Sequence, residues 1–290
     1  MTKIEPLNID PRDMETIFRV CVNSKQVRGN ERYRQVADNT EFTYDDMYIV
    51  NAYANRDGDK YTVCIYRGIC EWSSMFAFIA MALENKLISF GQSLKMVRWV
   101  VKLIRRLRHD RENVPDDMFA RLVHYMCQDC KVKVNLTSQQ VELWYAYTKM
   151  VSLTVVAHEL GHCCLGHCDD AGYDGTIMSA NRNIERQADL FAYSIVQYGG
   201  YGTIGAVCAV LQEMSLLVFS TDKYSENTHP ASYERVENAF RSFEGQFAKT
   251  GPLTAKNLHK MVDAIVSEGS KKSTTNRLKN GGLEGAPVSR

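Results

Sequence analysis

The chain has 290 residues, of which 45% are apolar and 24% are charged, and its 35 Lys and Arg nearly balance its 34 Asp and Glu. This composition is typical of a folded globular protein and argues against a disordered chain or a globally basic nucleic-acid binder. The length allows one large domain or a domain that carries an insertion.

No segment of the sequence predicts a leader or a membrane span. The N-terminus has no apolar run like that of a signal peptide, and no stretch reaches the roughly 18 consecutive apolar residues that a spanning helix needs. The nearest candidate, 204–219, is shorter and is broken by Gln212 and Glu213. Nine cysteines at irregular spacing, without a signal peptide, are typical of reduced thiols. We therefore expect a cytoplasmic protein.

The first part of the chain predicts a hairpin after a polar start. We expect one short helix, at 13–27, in the polar N-terminal segment 1–45. The runs 48–54 and 61–66 are rich in β-branched and aromatic residues and are separated by a turn that contains Asp-Gly. Two such runs around an Asp-Gly turn predict a β-hairpin.

An amphipathic helix is predicted at 91–111, because apolar side chains recur on one arc at helical spacing. The apolar arc consists of Leu94, Val97, Val101 and Ile104, and the basic face consists of Lys95, Arg98, Lys102, Arg105, Arg106, Arg108 and Arg111. A solvated face is the simplest interpretation of these charges, and a regulatory partner that binds them is the alternative. We do not expect nucleic acid as a partner.

The second half of the chain predicts further helices. Thr137 is a candidate N-cap for a long helix at 139–167, with an interruption near 150–152. Other helices are predicted at 72–88, 117–130, 183–197, 203–219 and 249–267. The segment 268–290 is polar and almost without large apolar residues, which predicts a disordered tail.

The motif His158-Glu159-Leu160-Gly161-His162 carries the strongest chemical signal. Positions four apart on a helix lie on the same face about one turn apart, so both imidazoles can reach one metal ion. This is the H-E-x-x-H arrangement for zinc, and we predict one Zn2+ per chain. A catalytic zinc activates a water molecule, and Glu159 would accept the proton of that water as general base.

A catalytic zinc also needs a third protein ligand and an open position for water. Glu185 is the best candidate, because Asp189 shares its face on a predicted helix and the small Ala188 allows another helix to approach. Asp189 would then accept the outer N–H of a ligating histidine, as metal-bound imidazoles usually require. His167 follows His162 by only five residues and is interpreted as an outer partner rather than as a ligand.

These segments resemble the gluzincin metallopeptidases, in particular the family of the heat-shock protease HtpX and the CAAX prenyl endopeptidases. Four segments carry the resemblance in the expected order, namely Asn51-Ala52-Tyr53-Ala54, the motif at 158–162 with His167, the stretch 185–189, and Thr228-His229-Pro230 with Arg235. The resemblance implies His158, His162 and Glu185 as zinc ligands and Glu159 as the general base. It also implies that His229 lies near the substrate, where it stabilises the oxyanion or anchors the last helix.

The hairpin suggests how a substrate would bind. If the strand at 61–66 lies at a sheet edge above the helix of His158, its free backbone groups can pair with an extended peptide. The alternative is a strand that is paired on both sides. The substrate-binding residues that the resemblance implies are Asn51, Ala52, Tyr53 and Ala54.

The sequence also departs from this family. It lacks the membrane helices of the best-known members, and we interpret the stretch at about 89–136 as a helical insertion. A second resemblance is to the ImmA/IrrE metallopeptidases, which also pair H-E-L-G-H with a glutamate on a following helix that contains alanine. Members of that family cleave or regulate transcriptional repressors.

The fold class that we predict is α+β and mainly helical, a zincin-like metallopeptidase domain with a small antiparallel sheet. This domain spans 46–248 and is flanked by the segment 1–45, a helix at 249–267 and the tail 268–290. We expect a zinc-dependent endopeptidase that cleaves a protein or peptide substrate in the cytosol. The alternatives are an ImmA/IrrE-like protease that acts on a transcriptional repressor, and a non-proteolytic zinc-binding interaction protein. Glu159 favours an enzyme, because a structural zinc site is closed by four protein ligands and has no use for a general base.

Overall fold

The computed structural model of the chain describes residues 4, 7, 9–109, 121–169, 178–220 and 232–270. Within these residues there are eleven helices and one sheet of three strands. In chain order the elements are α1 (Pro11–Val22), α2 (Lys25–Arg28), α3 (Glu31–Asp38), β1 (Thr40–Asp45), β2 (Ala52–Asp57), β3 (Lys60–Tyr66), α4 (Arg67–Glu84), α5 (Phe90–His109), α6 (Leu122–Asp129), α7 (Ser138–Leu165), α8 (Met178–Tyr198), α9 (Gly202–Ser220), α10 (Ser232–Ser242) and α11 (Ala255–Gly269). The described part of the chain is therefore mainly helical and of the α+β class, as predicted.

Helix α7 forms the centre of the fold. Every residue from 151 to 164 is buried, because α1, α4, α8 and α9 pack around this helix together with β2 and β3. The predicted N-cap is confirmed, since the Thr137 side chain accepts from the backbone N–H of Gln140 while the Gln140 side chain accepts from that of Thr137. Gly166 ends the helix with a φ of 81°, in the left-handed region that glycine adopts readily. The predicted interruption near 150–152 is wrong, because a helix buried on all sides keeps its apolar pattern without a break.

The prediction of an antiparallel sheet is wrong, because the observed sheet is mixed. Its strand order is β1-β3-β2, with β3 antiparallel to β2 and parallel to β1. The hairpin of β2 and β3 is confirmed. The additional strand β1 is held beside β3 by its packing on α1, where the rings of Phe42 and Phe18 stack at 5.1 Å. The prediction of an edge strand at 61–66 is therefore wrong, because β3 is central and β2 lies at an edge of the described sheet.

The first strand of the hairpin starts later than predicted. It begins at Ala52 rather than at residue 48, because the preceding residues cross the N-terminus of α4. The backbone N–H of Gly68 donates to the carbonyl of Met47 at 3.2 Å, and a Cβ at Gly68 would lie 2.5 Å from the backbone of Ile49. This close approach requires glycine and keeps the crossing segment out of the sheet.

Helices α1 and α2 replace the single helix predicted at 13–27, and α3 follows them. The side chain of Ser24 accepts from the backbone N–H of Val27 at the start of α2, and Asn30 caps Tyr33 of α3 in the same way. Such side chains satisfy the first N–H groups of a new helix. Polar residues that fit the pattern of one amphipathic helix therefore begin separate helices here.

The predicted amphipathic helix is confirmed as α5. Its apolar arc is buried or half-buried, and Lys95 and Lys102 are exposed. Arg105 donates to the backbone carbonyls of Glu268 and Gly269 at the end of α11, which are groups that a helix leaves without intrahelical partners. Part of the basic face thus stabilises the fold, while the side chains of Arg108 and Arg111 lie outside the described residues.

The other helices agree with the prediction, with shifted ends. No helix in the described ranges is both long and apolar enough to cross a membrane. Helix α11 ends at Gly269, and residues 271–290 of the predicted tail lie outside the described residues. The domain boundaries and the insertion at 89–136 stay predictions.

Candidate metal centre

Helices α7 and α8 pack closely at the level of the H-E-L-G-H motif. A Cβ at Gly161 would lie 3.0 Å from the ring of Phe191, and Ala188 is buried at the same crossing. The distance between two packed helices depends on the side chains at their contact. Glycine and alanine here let the acidic residues of α8 reach the histidines of α7.

The donor atoms of His158, His162 and Glu185 lie close enough together to hold one metal ion. The Nε2 atoms of the two histidines are 3.0 Å apart. Glu185 oxygens lie 3.3 Å from His158 Nε2 and 3.5 Å from His162 Nε2. Ligands bound to zinc at about 2.0–2.1 Å in a tetrahedron lie about 3.3–3.4 Å from one another. The three donors match one face of such a tetrahedron, so the residues present fit a zinc ion.

Asp189 contacts the outer nitrogen of His158. Its Oδ1 lies 2.9 Å from His158 Nδ1, and the residue is only 1% exposed. A proton on Nδ1, shared with this carboxylate, leaves the lone pair of Nε2 for a metal ion. Asp189 thus lies beside the outer nitrogen of His158, and its role as acceptor of a proton there stays a prediction.

The outer nitrogen of His162 contacts His167, which in turn contacts Gln187. His162 Nδ1 lies 3.1 Å from His167 Nδ1, and His167 Nε2 lies 3.1 Å from Gln187 Oε1. With the amide oxygen of Gln187 facing Nε2, a proton on Nε2 satisfies this contact and leaves Nδ1 of His167 to accept from His162. This arrangement leaves the Nε2 lone pair of His162 for a metal ion. Gln187 was not predicted, because it is an exposed residue on α8 and only the tertiary fold brings it to His167.

We expect His167→Ala to weaken zinc binding by about 10–100-fold, the usual cost of removing an outer partner of a metal-bound imidazole. The reason is that the N–H of His162 loses its acceptor. Zinc dissociation constants from competition with a chromophoric chelator measure the effect. His259→Ala, on α11, is the control and should leave the constant unchanged. An unchanged constant in His167→Ala would show that His162 needs no partner at Nδ1.

Glu159 is buried beside the histidines on α7. The residue is 9% exposed, and burial raises the pKa of Glu159 to about 7. A general base works best when its pKa lies near the operating pH. Burial of Glu159 thus moves its pKa in the direction that suits a general base.

Carboxylates dominate the electrostatics of the histidine pair. Burial alone would lower the pKa of His158, but contacts with Asp189 and Glu185 outweigh it and raise that pKa to about 10. Burial and the nearby His158 lower the pKa of His162 to about 3. For Glu185, burial would raise the pKa, but contacts with His158 and Arg235 hold it well below its usual value. The negative potential of these carboxylates, which favours the charged form of His158, also favours a metal cation at its Nε2.

Two buried charges beside the centre were not predicted as site residues. Arg235 of α10 donates to Asp189 Oδ1 at 2.6 Å, and its Nε lies 3.1 Å from Glu213 Oε2 on α9. In the sequence, Glu213 is noticeable because it is a charged residue within the apolar run 204–219. In that run the charge argues against a membrane span and does not indicate which partner it contacts.

Residues 91–253, more than half of the chain, match the peptidase U49 family. The chain belongs to the peptidase U49 family. The match extends from α5 beyond α10 and includes every residue of the centre named above, whereas the sheet lies before its first residue. Comparisons with curated proteins and with solved structures gave no match. The U49 chain is thus a member of a peptidase family, and its His-His-Glu group could hold a metal ion.

Of the remaining predicted site residues, one lies outside the described residues and four lie in or next to β2. His229 lies outside the described residues, so its role stays a prediction. Asn51 precedes β2, and Ala52 and Ala54 are half-buried and packed against the core, while Tyr53 is exposed. The edge strand β2 packs on α7, the helix that carries the H-E-L-G-H motif.

Proposed function

We propose that the chain is a zinc-dependent endopeptidase of the gluzincin type, which hydrolyses peptide bonds of a protein substrate in the cytosol. The observation that carries the proposal is the triangle of donor atoms from His158, His162 and Glu185, with Glu159 next to it on α7. Membership of the peptidase U49 family supports proteolysis. The segments Asn51-Ala52-Tyr53-Ala54 and Thr228-His229-Pro230 favour kinship with the HtpX and CAAX endopeptidases over the ImmA/IrrE proteins, which share the glutamate on the following helix.

Each residue of the centre has a defined task in this mechanism. Zinc, when bound, supplies a Lewis acid that polarises a carbonyl and lowers the pKa of water. Glu159 accepts a proton from the attacking water and passes it to the leaving amine. Asp189 orients the ring of His158, and His167 orients the ring of His162, through the nitrogens that face away from the metal.

The substrate, in this proposal, binds as an extended strand along β2. An edge strand has unpaired backbone N–H and C=O groups that an added peptide strand can satisfy. Asp169, shortly after the end of α7, ties the sheet to the metal-binding helix. Its Oδ1 accepts from Tyr61 at 2.7 Å and from Arg56 of β2 at 2.9 Å. These bonds hold the edge strand at a fixed position relative to α7.

The first test is metal removal. We expect about one zinc per purified chain and hydrolysis of a denatured protein substrate that a chelator abolishes and added zinc restores. Zinc that binds only the folded chain also raises the unfolding temperature, so calorimetry with and without chelator gives a readout that needs no substrate. If the chain takes up no zinc after refilling, the endopeptidase proposal is wrong.

A further inference from the structure

A buried arginine joins three helices behind the metal centre. Arg235 of α10 is 7% exposed. Its Nη2 donates to Asp189 Oδ1 at 2.6 Å, its Nε lies 3.1 Å from Glu213 Oε2, and its Nη1 lies 3.7 Å from Glu185 Oε2. Each nitrogen of the guanidinium thus faces a different carboxylate.

Arg235 and His158 share one oxygen of Asp189. His158 Nδ1 lies 2.9 Å from Asp189 Oδ1, the same atom that accepts from Arg235. The two contacts fix the position of Oδ1, the oxygen that faces the imidazole. The guanidinium therefore acts on His158 through Asp189, and it faces Glu185 directly.

Glu213 fixes Arg235 from the side away from the metal. It is 1% exposed and lies on α9, which is otherwise strongly apolar. The hydroxyl of Tyr193 donates to Glu213 Oε1 at 2.9 Å, which leaves Oε2 facing Arg235. A buried carboxylate is costly unless it is paired and hydrogen-bonded. Here the hydrogen bond from Tyr193 and the opposite charge of Arg235, 3.1 Å from Oε2, offset that cost.

We propose that Arg235 and Glu213 are a positioning pair, in which Glu213 orients the Arg235 guanidinium and the guanidinium fixes the carboxylates of Asp189 and Glu185 for metal binding. This inference rests on the proposed function, because the metal ion is the zinc of that mechanism. Arg235 does not touch a substrate in this scheme. It acts through the residues that hold the metal.

Charge and geometry predict opposite results when Arg235 is changed. As a positive charge near a cation, Arg235 opposes metal binding, so its removal would tighten binding if charge alone mattered. As a planar group with nitrogens in fixed directions, it donates to Asp189 through Nη2 while Nη1 faces Glu185 at the ion-pair distance of 3.7 Å, and a lysine ammonium cannot point in both directions at once. The positioning role therefore requires that Arg235→Lys, which keeps the charge, also weakens binding.

The test compares Arg235→Lys, Arg235→Met and Glu213→Gln with the wild type. We expect Arg235→Lys and Arg235→Met to raise the zinc dissociation constant by about 10–100-fold, as for other outer partners, and Glu213→Gln to raise it less. We also expect kcat to fall more than KM changes. The measurements are chelator competition, circular dichroism and kinetics. If Arg235→Met does not fold, the two conservative variants still decide the question.

Arg67→Met is the matched control, because Arg67 of α4 lies 3.3 Å from Glu71, another carboxylate that is 2% exposed. This variant should lose stability and keep the wild-type zinc constant. Wild-type zinc affinity in Arg235→Lys, or tighter binding in Arg235→Met, overturns the positioning role while leaving the proposed function intact. A wild type that binds no zinc overturns both.

Discussion

Glu159→Gln is expected to lower kcat by roughly 10²–10⁴-fold, the usual contribution of a general acid or base. The amide has nearly the shape of the carboxylate but cannot accept a proton from water. Because the donor triangle consists of His158, His162 and Glu185, zinc content and the unfolding temperature should stay close to those of the wild type. Metal analysis, calorimetry and initial rates on a denatured protein substrate measure these three effects.

The control for this experiment is Glu142→Gln on the same helix, where the side chain is exposed. It makes the same chemical change far along α7 and should leave kcat unaltered. Hydrolysis by Glu159→Gln at a rate near that of the wild type would assign the proton transfer to another group. Loss of both zinc and activity would instead show that Glu159 supports the metal site itself.

The donor set of the centre could be predicted because its signals are local. The spacing of His158 and His162 on an apolar helix places two imidazoles on one face whatever surrounds them. Glu185 needed one further inference, that its helix packs on the motif helix, and Ala188 supplied the reason. The structure brings the donor atoms of all three residues within 4.8 Å of one another.

Asp189 and His167 lie close in sequence to the ligands and are predicted as their outer partners, but Arg235, Glu213 and Gln187 could not be predicted in the same way. Arg235 and Glu213 meet only because α8, α9 and α10 converge, and no local spacing encodes that meeting. Gln187 is an exposed residue of α8, and its side chain contacts His167 in the turn after α7. A sequence shows such residues only as polar residues and does not indicate which partner each of them contacts.

The sheet shows a similar limit of local patterns. The Asp-Gly turn predicts that β2 and β3 pair, but it does not decide which of them is the edge. That depends on β1, whose parallel pairing with β3 has no turn signal because parallel strands are joined by longer connections. The metal-binding residues lie within the peptidase U49 match, whereas the edge strand that we assign to the substrate lies before it.

Glu185→Ala is expected to weaken zinc binding by more than the roughly 10–100-fold that loss of an outer partner costs, and to abolish peptidase activity. The variant removes a donor that contacts both histidine nitrogens, at 3.3 and 3.5 Å. The variant also removes one of the three carboxylates that face Arg235. Chelator competition gives the zinc constant, and calorimetry should show an unfolding temperature that no longer responds to zinc.

Glu71→Ala is the control, because it removes a buried carboxylate that is not a proposed metal ligand. Glu71 is as buried as Glu185, and its partner on α4 is Arg67, so the control should lower stability and leave zinc binding intact. Equal zinc in Glu185→Ala and the wild type would move the third ligand elsewhere. The nearby alternatives have other contacts, since Asp169 is held by Tyr61 and Arg56 and His167 faces the outer nitrogen of His162. Glu185 is therefore the donor whose loss should empty the site.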